Sequence, residues 1–288
     1  MTLTAGIIGH PVGHSLSPVF QGAALRHCGI DVTYEAWDTP LERLDQRVEL
    51  LRYPDVLGAN VTIPHKEAVI PLLDELGGQS AAVGAVNTIV NREGRLFGFN
   101  TDGPGFVRSL RSEVAFDPAG RSFLLLGAGG AARGIAFALL DAGAASIVIA
   151  NRTLARAEAL MKDLEAVGRG MVAATSLPAS PAGFDCVVNT TSVGMHGSGA
   201  GDQVPCDLSQ ADGGTLAVDI VYVPEETPFL RDARAAGLRT VPGLPMLIYQ
   251  GALSFELWTG LDAPVDVMFE AARSELARRE SMRSATSS

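Results

Sequence analysis

Residues 59–67 read ANVTIPHKE, and the lysine among them can do chemistry that most cations of this chain cannot. The chain carries 20 arginines but only two lysines, Lys66 and Lys162. An ammonium can surrender a proton and a guanidinium cannot, so a lysine kept in an arginine-writing chain points to proton handling. When hydride reaches a ketone carbon it leaves an alkoxide. An ammonium stabilises and protonates that oxygen, and a carboxylate can hold the ammonium in place. Asp102, in the stretch NTDG, is the candidate carboxylate. Lys162 lies in an ordinary amphipathic pattern and reads as a solvated charge, as most lysines do.

A hydride carrier is suggested at residues 124–133, LLLGAGGAAR. Gly127, Gly129 and Ala132 fill the GxGxx(G/A) positions between an apolar strand and a helical pattern. The first glycine permits the tight turn, the second lets backbone approach a pyrophosphate, and the small third residue packs helix on strand. Gly127, Ala128, Gly129, Gly130 and Ala131 are therefore the expected phosphate cradle. At the end of the next strand a carboxylate would receive the ribose of NAD. Here Asn151, Arg152 and Thr153 stand instead, with Arg156 a turn further on. Two guanidiniums suit a 2′-phosphate, so NADP(H) is favoured over NAD(H).

Small polar residues near these stretches suit a polyol substrate: Ser15, Ser17, Asn60, Thr62, Asn87 and Gln250. Each alone also reads as a cap or turn residue, and Ser17 before Pro18 in particular as a helix N-cap.

The elements that must position these groups alternate between short apolar runs and helical patterns, the texture of βα units around a largely parallel sheet. AGIIGH, VTYEAWD and DVLGANVTIP read as strands, with helices over PVFQGAALRHCG and PLERLDQRVELL. HKEAVIPLLDELG reads as a helix kinked at Pro71, and TIVNREGRLFGF as a hairpin. DGPGFVRSLRSE then connects to a second series: strands RSFLLL, SIVIANR, FDCVVNTTS and TLAVDIVYVP, with helices after the glycine turn and at TLARAEALMKDLEAVG. LPMLIYQGALSFELWTG and VDVMFEAARSELARRE are two closing helices, and the polar end SMRSATSS lacks periodicity. The expected plan is α/β with two domains around a cleft. Residues 1–102 form the substrate-binding and catalytic domain, 103–237 the dinucleotide-binding domain, 238–280 helices returning to the first, and 281–288 a disordered tail.

Composition excludes other classes. A formal net charge of −10 disfavours nucleic acid and acidic membranes as partners. No apolar run is long enough to span a bilayer and the opening residues lack a secretory pattern, which points to the cytoplasm. Cys28, Cys186 and Cys206 form no CxxC pair and read as small buried residues of a reducing compartment. His10 and His14 are separated by Pro11 and Gly13, so no metal site is expected.

Taken together, HSLSP, ANVTIPHK, GAVNT, FNTDG, GAGGAAR, NRT with its following arginine, NTTSVGM, DIVYVPEETPFL and GLPMLIYQGALSFELW resemble the shikimate dehydrogenase family, in the family's order over roughly residues 6–260. The resemblance implies a substrate domain and a Rossmann-like domain, and NADPH-dependent, reversible reduction of 3-dehydroshikimate to shikimate in aromatic amino-acid biosynthesis. It places the catalytic Lys-Asp pair on Lys66 and Asp102. It places substrate contacts on Ser15, Ser17, Asn60, Thr62, Asn87 and Gln250, and adds Tyr222. Cofactor contacts fall on the 127–131 turn, Asn151, Arg152, Thr153 and Arg156, with Gly243 and Met246 beside the nicotinamide.

Pro245 departs from the family's GLGML pattern in a segment that carries Met246 and Gln250. Quinate and amino-shikimate dehydrogenases share most of these motifs and stay open as alternatives, although a serine at Ser17 favours shikimate. A non-catalytic NADP sensor would be expected to have lost part of the Lys-Asp pair or the polyol contacts, all of which stand here. A folate-pathway dehydrogenase of similar plan would not explain the SxS and NTDG stretches. The expected assembly is a monomer or a homodimer.

Overall fold

The computed structural model describes residues 3–286 except 167, 169 and 198, and only the backbone for 284–286. The first series of elements is β1 (Leu3–Gly9), α1 (Ser17–His27), β2 (Val32–Asp38), α2 (Leu44–Leu50), β3 (Val56–Val61), β4 (Glu75–Leu76), α3 (Ser80–Val83), β5 (Thr88–Arg92) and β6 (Arg95–Phe99). The second is α4 (Asp102–Val114), β7 (Ser122–Leu126), α5 (Gly130–Asp141), β8 (Ser146–Asn151), α6 (Leu154–Glu165), β9 (Met171–Ser176), β10 (Cys186–Asn189), β11 (Leu216–Asp219), α7 (Pro228–Ala235) and β12 (Arg239–Val241). Two helices close the chain, α8 (Gly243–Thr259) and α9 (Val265–Thr286). The contacts divide it into one unit of Met1–Thr101 with Ile248–Ser288 and another of Asp102–Leu247. Return to the first unit thus comes at Ile248, where the sequence suggested 238.

The first unit holds a six-stranded mixed sheet in the order β2-β1-β3-β5-β6-β4. β1 runs parallel to both β2 and β3, and the β5–β6 hairpin lies antiparallel against β3. The hairpin turns on Glu93 and Gly94, both at positive φ (55° and 84°), and Asn91 accepts the Gly94 N–H at 2.9 Å. Ile8, Ala59, Val61, Val86, Ile89 and Leu96 build its core with Leu44, Val48 and Leu51 around α2. On this unit α1 packs against α9.

The second unit is a six-stranded, all-parallel sheet in the order β12-β11-β10-β7-β8-β9. β10 and β11 are buried at every residue, as expected of strands covered on both faces. The order reverses between β7 and β10, the switch point at which doubly wound sheets bind ligands beyond the strand ends.

Several expectations are corrected. The kinked helix over residues 65–77 does not form; a 3₁₀ turn at Ile70–Leu72 and the short β4 take its place. Pro71 has no N–H to continue a helix, and Val69, Ile70, Leu72, Leu73 and Leu76 spread into the core instead. Ser17 is the first residue of α1 rather than its cap; Leu16 holds the cap position without a side-chain bond. Of the 281–288 tail expected to be disordered, residues 281–286 continue α9, because nothing between Ser281 and Thr286 is a glycine or proline that would stop a helix, and 287–288 lie outside the described residues. α3, β9, α7 and β12 went unread: all are short, and Met171 on β9 is exposed. Pro245 is the third residue of α8, where its missing N–H falls among the unpaired donors of a first turn.

Candidate active site

In the first unit three of the polar candidates, Asn60, Asn87 and Gln250, join one buried hydrogen-bonded array. Asn60 is the penultimate residue of β3 and is 4% exposed; its amide donates to Ser254 Oγ (2.9 Å) and to the Asn87 carbonyl (3.2 Å). Its Oδ1 accepts from the Tyr34 phenol at 2.7 Å. Asn87, 2% exposed, donates to Thr101 Oγ1 (2.9 Å) and to Gln250 Oε1 (3.2 Å). Its Oδ1 accepts the Thr101 backbone N–H at 2.7 Å and the Thr88 hydroxyl at 3.1 Å. Ser254 stands one helical turn after Gln250 and shares a 2.7 Å bond with Thr88. So dense a set of satisfied polar groups fixes side-chain directions before any ligand arrives.

Ser17 is buried and hydrogen-bonds the Tyr34 phenol, while burial pushes that phenol well above its ordinary pKa. Ser15 is half-buried, and its hydroxyl oxygen accepts the Ser17 N–H at 3.2 Å. Thr62, the residue that follows β3, is half-buried, and its N–H donates to the Ile8 carbonyl at 2.8 Å.

Lys66 is half-buried, and its carbonyl accepts the Val86 N–H at 2.8 Å. That bond ties the lysine peptide to the residue directly before Asn87. His65 is fully buried, with Nε2 2.6 Å from the Thr39 carbonyl, which anchors the same turn. Asp102 follows directly on Thr101, is 6% exposed, and opens α4 within the second unit, where the helix dipole favours a carboxylate.

The second unit offers a site of a different kind. Gly127 has φ +119°, and a Cβ there would meet Thr190 Oγ1 at 2.6 Å, so only glycine fits beside β10. At Gly129 and Gly130 a Cβ would meet nothing within 4 Å. Gly129 caps α5 with no side-chain bond, leaving the first-turn N–H groups directed at that open space. Arg152 and Arg156 are exposed at the start of α6, and among the described residues neither has an ion-pair partner. Cations at a helix N-terminus oppose the dipole, so an anion between them is the favourable complement. Asn151 ends β8 and donates to the Thr153 carbonyl at 2.9 Å, shaping the turn that carries both arginines. Backbone cradle and arginine pair thus fit a dinucleotide bearing a 2′-phosphate. Arg133 pairs instead with Asp163 (2.5 Å) and lies over Phe137.

Beyond β11 the chain is pinned by Asp219, which is fully buried. It accepts from Asn189 Nδ2 (3.0 Å), the Val221 N–H (2.9 Å) and the Thr227 hydroxyl (2.7 Å). Burial outweighs these bonds and pushes its carboxyl up to about 6. Tyr222 follows this anchor and is half-buried. Gly243 begins α8 against the Ile220 and Val221 carbonyls, which a Cβ would meet at 2.5 Å. Met246 is buried a turn later.

Thr88, Thr101 and Ser254 of the array were missed as candidates. Thr88 and Thr101 flank Asn87 and Asp102, and Ser254 follows Gln250 by four residues, so helical spacing could have found it. Tyr34 carries no local signal beyond being the one buried residue of β2.

Comparison with known proteins is consistent along the chain. Family models match as the shikimate dehydrogenase substrate binding domain over residues 7–89, shikimate / quinate 5-dehydrogenase over 111–227, and the shikimate 5′-dehydrogenase C-terminal domain over 243–273. The shikimate dehydrogenase (NADP(+)) of Methanopyrus kandleri is 46% identical over 276 residues, covering 94% of each chain. A crystal structure of shikimate 5-dehydrogenase from Thermus thermophilus in complex with NADP(H) and shikimate is 43% identical, covers 94% of this chain and 99% of that one, and has a TM-score of 0.85. The quinate dehydrogenase of Corynebacterium glutamicum, solved with NAD, is 32% identical at TM-score 0.87, covering 95% of this chain and 99% of that one.

Proposed function

The chain belongs to the shikimate dehydrogenase family, and we propose that Lys66 and Asp102 handle the proton of its reaction. It is an NADP-dependent oxidoreductase that interconverts 3-dehydroshikimate and shikimate. Bound NADPH supplies the hydride; the backbone of residues 127–131 with Arg152 and Arg156 would hold it. Thr153 and Asn151 shape that turn, and Gly243 and Met246 serve the nicotinamide end. Lys66 gives its proton to the substrate oxygen as that oxygen becomes the 3-hydroxyl, and takes it back in the reverse direction. Asp102 serves as its carboxylate partner. Ser15, Ser17, Asn60, Thr62, Asn87 and Gln250, with Tyr222, take the hydroxyls and the carboxylate of the substrate.

What carries this reading is the buried array around Asn60 and Asn87, with Lys66 tied by backbone to Val86 beside it. Such an array recognises a small polyol by direction as well as by polarity. Among the described residues no helix is long and apolar enough to cross a membrane. We place the enzyme in the cytoplasm, working as a monomer or homodimer without nucleic acid. A quinate-oxidising enzyme is the second reading, favoured by the likeness to the Corynebacterium quinate dehydrogenase.

Initial rates at 340 nm separate the two. Shikimate and quinate are each offered with NADP and NAD. Turnover confined to shikimate with NADP is the expected result. Comparable rates with quinate would move the chain to the second reading, and no turnover with any pair would refute both.

A further inference from the structure

Ser15 lies in a stretch with no regular structure between the end of β1 at Gly9 and the start of α1, whose first residue is Ser17. Pro11 and the exposed Gly13 lie within it. Its own turn supplies two bonds, Ser15 N–H to the Val12 carbonyl (3.0 Å) and Ser17 N–H to the Ser15 hydroxyl (3.2 Å). The carbonyls of His14 and Ser15 are bound from the far end of the sequence. Arg279 on α9 donates through Nη1 to His14 O at 2.6 Å and through Nη2 to Ser15 O at 3.5 Å.

Arg279 is itself held. Glu275, one helical turn earlier, accepts its Nε at 2.7 Å and also pairs with Arg278 through both oxygens, at 2.7 and 2.8 Å. The two guanidiniums pull the Glu275 carboxyl down to about 2, so it stays ionised through the working range. Its side chain is only 14% exposed and that of Arg279 27%, so the pair is partly shielded from competing water. With Nε fixed by Glu275, the planar fork leaves Nη1 and Nη2 aimed at the two carbonyls. Neither Glu275 nor Arg279 lies within the stretches matched by the family models, which end at residue 273.

We infer that Arg279, oriented by Glu275, is a positioning residue for substrate: it fixes the peptide units of His14 and Ser15 and thereby the placement of the Ser15 and Ser17 hydroxyls. The inference rests on the proposed role of these serines in holding substrate. With its oxygen accepting from Ser17, the Ser15 hydroxyl presents its hydrogen as a donor, which suits a carboxylate. A loop free to shift by even an ångström would lose that alignment. An arginine that merely glued α9 to the loop would affect unfolding and leave substrate affinity alone.

The test compares Arg279→Ala, Arg279→Lys, Glu275→Gln, Ser15→Ala and the Arg279→Ala/Ser15→Ala double variant in the full chain. Each is assayed for kcat, KM for shikimate, KM for NADP and Tm. Arg279→Ala is expected to raise the shikimate KM about tenfold, the scale of one charge-assisted hydrogen bond, with kcat and the NADP KM within about twofold. Arg279→Lys, which can reach one carbonyl but not two, falls in between. The double variant is expected to be no worse than the poorer single one, because both act on one contact. A shikimate KM unchanged by Arg279→Ala, or effects that multiply in the double variant, would overturn the inference while leaving the serine assignment intact. An unchanged KM in Ser15→Ala would overturn both. If Arg279→Ala does not fold, Glu275→Gln decides: it keeps the guanidinium but loosens its aim, and a shikimate KM raised about threefold supports the inference while an unchanged one ends it.

Discussion

On the proposed assignment of the sites, the two units recognise their ligands by opposite means. In the first, recognition is written in buried side chains: Asn60, Asn87, Thr101, Ser254 and Gln250 satisfy one another and are set before a ligand binds. In the second it is written in backbone and in charge. Gly129 and Gly130 face open space, and two exposed arginines stand at the start of α6. A polyol differs from its relatives by the direction of single hydroxyls, so directional amides and hydroxyls discriminate it. A pyrophosphate and a 2′-phosphate are strong, compact charges, which peptide N–H groups and guanidiniums can hold with little side-chain machinery.

The comparison is broken most severely at the proposed proton donor. Lys66→Ala is expected to lower kcat by about 10²–10⁴, the usual reach of general acid–base catalysis, while the NADP KM stays put. Stopped-flow single turnovers would show the loss in the chemical step. Near-normal kcat in this variant would remove Lys66 from the mechanism.

A second break falls inside the array. Asn87→Ala strands the Thr101 N–H and removes the partner of the Thr88 hydroxyl and of Gln250 Oε1, and is expected to cost about 3 kcal/mol of stability by urea titration, with a raised shikimate KM. A stability change under about 0.5 kcal/mol would mean the array is not pre-set as described.

The comparison sharpens under pH. The array of the first unit consists of amides and hydroxyls, and its one ionisable member, the Tyr34 phenol, stays protonated. The buried polar anchor of the second unit is a carboxyl. Asp219 titrates at about 6 when folded against an ordinary 3.8, so between these values the folded state holds the extra proton. Its contribution to stability is therefore full below about pH 4 and is lost as pH rises through 6, by roughly 3 kcal/mol at most. Asp219→Asn is expected to flatten that part of the stability–pH curve relative to the parent. An unchanged difference between the two proteins from pH 4 to 7 would contradict it.

The smallest expected effect lies at the exposed arginines. Arg152→Ala or Arg156→Ala should each raise the NADP KM about tenfold and leave the NAD KM within about twofold. Equal losses with both cofactors would remove the 2′-phosphate from the account.

Much of this was legible in the chain because the strongest constraints are local. The glycine turn needs residues of fixed type at fixed spacing, and both the strand before it and the helix after it stand where the pattern put them. The polyol residues were legible as types but not as a network: Asn60 meets Ser254 across 194 residues and Asn87 meets Gln250 across 163. No periodicity carries such pairings. Residues 65–77 misled for the same reason in reverse. Their helical texture is local, while Pro71 and the pull of the core on Val69 and Leu73 are decided by tertiary packing. Arg279 was unreadable for another cause, since its partners are backbone carbonyls and leave no mark on sequence.

The division of labour is tested most directly by steady-state constants for Gln250→Ala, the Arg152→Ala/Arg156→Ala double variant and their combination. Gln250→Ala is expected to raise only the shikimate KM, the arginine pair only the NADP KM, and the combined protein to show both changes undiminished. A Gln250→Ala protein that lost NADP affinity, or an arginine variant that lost shikimate affinity, would contradict a separate recognition of substrate and cofactor.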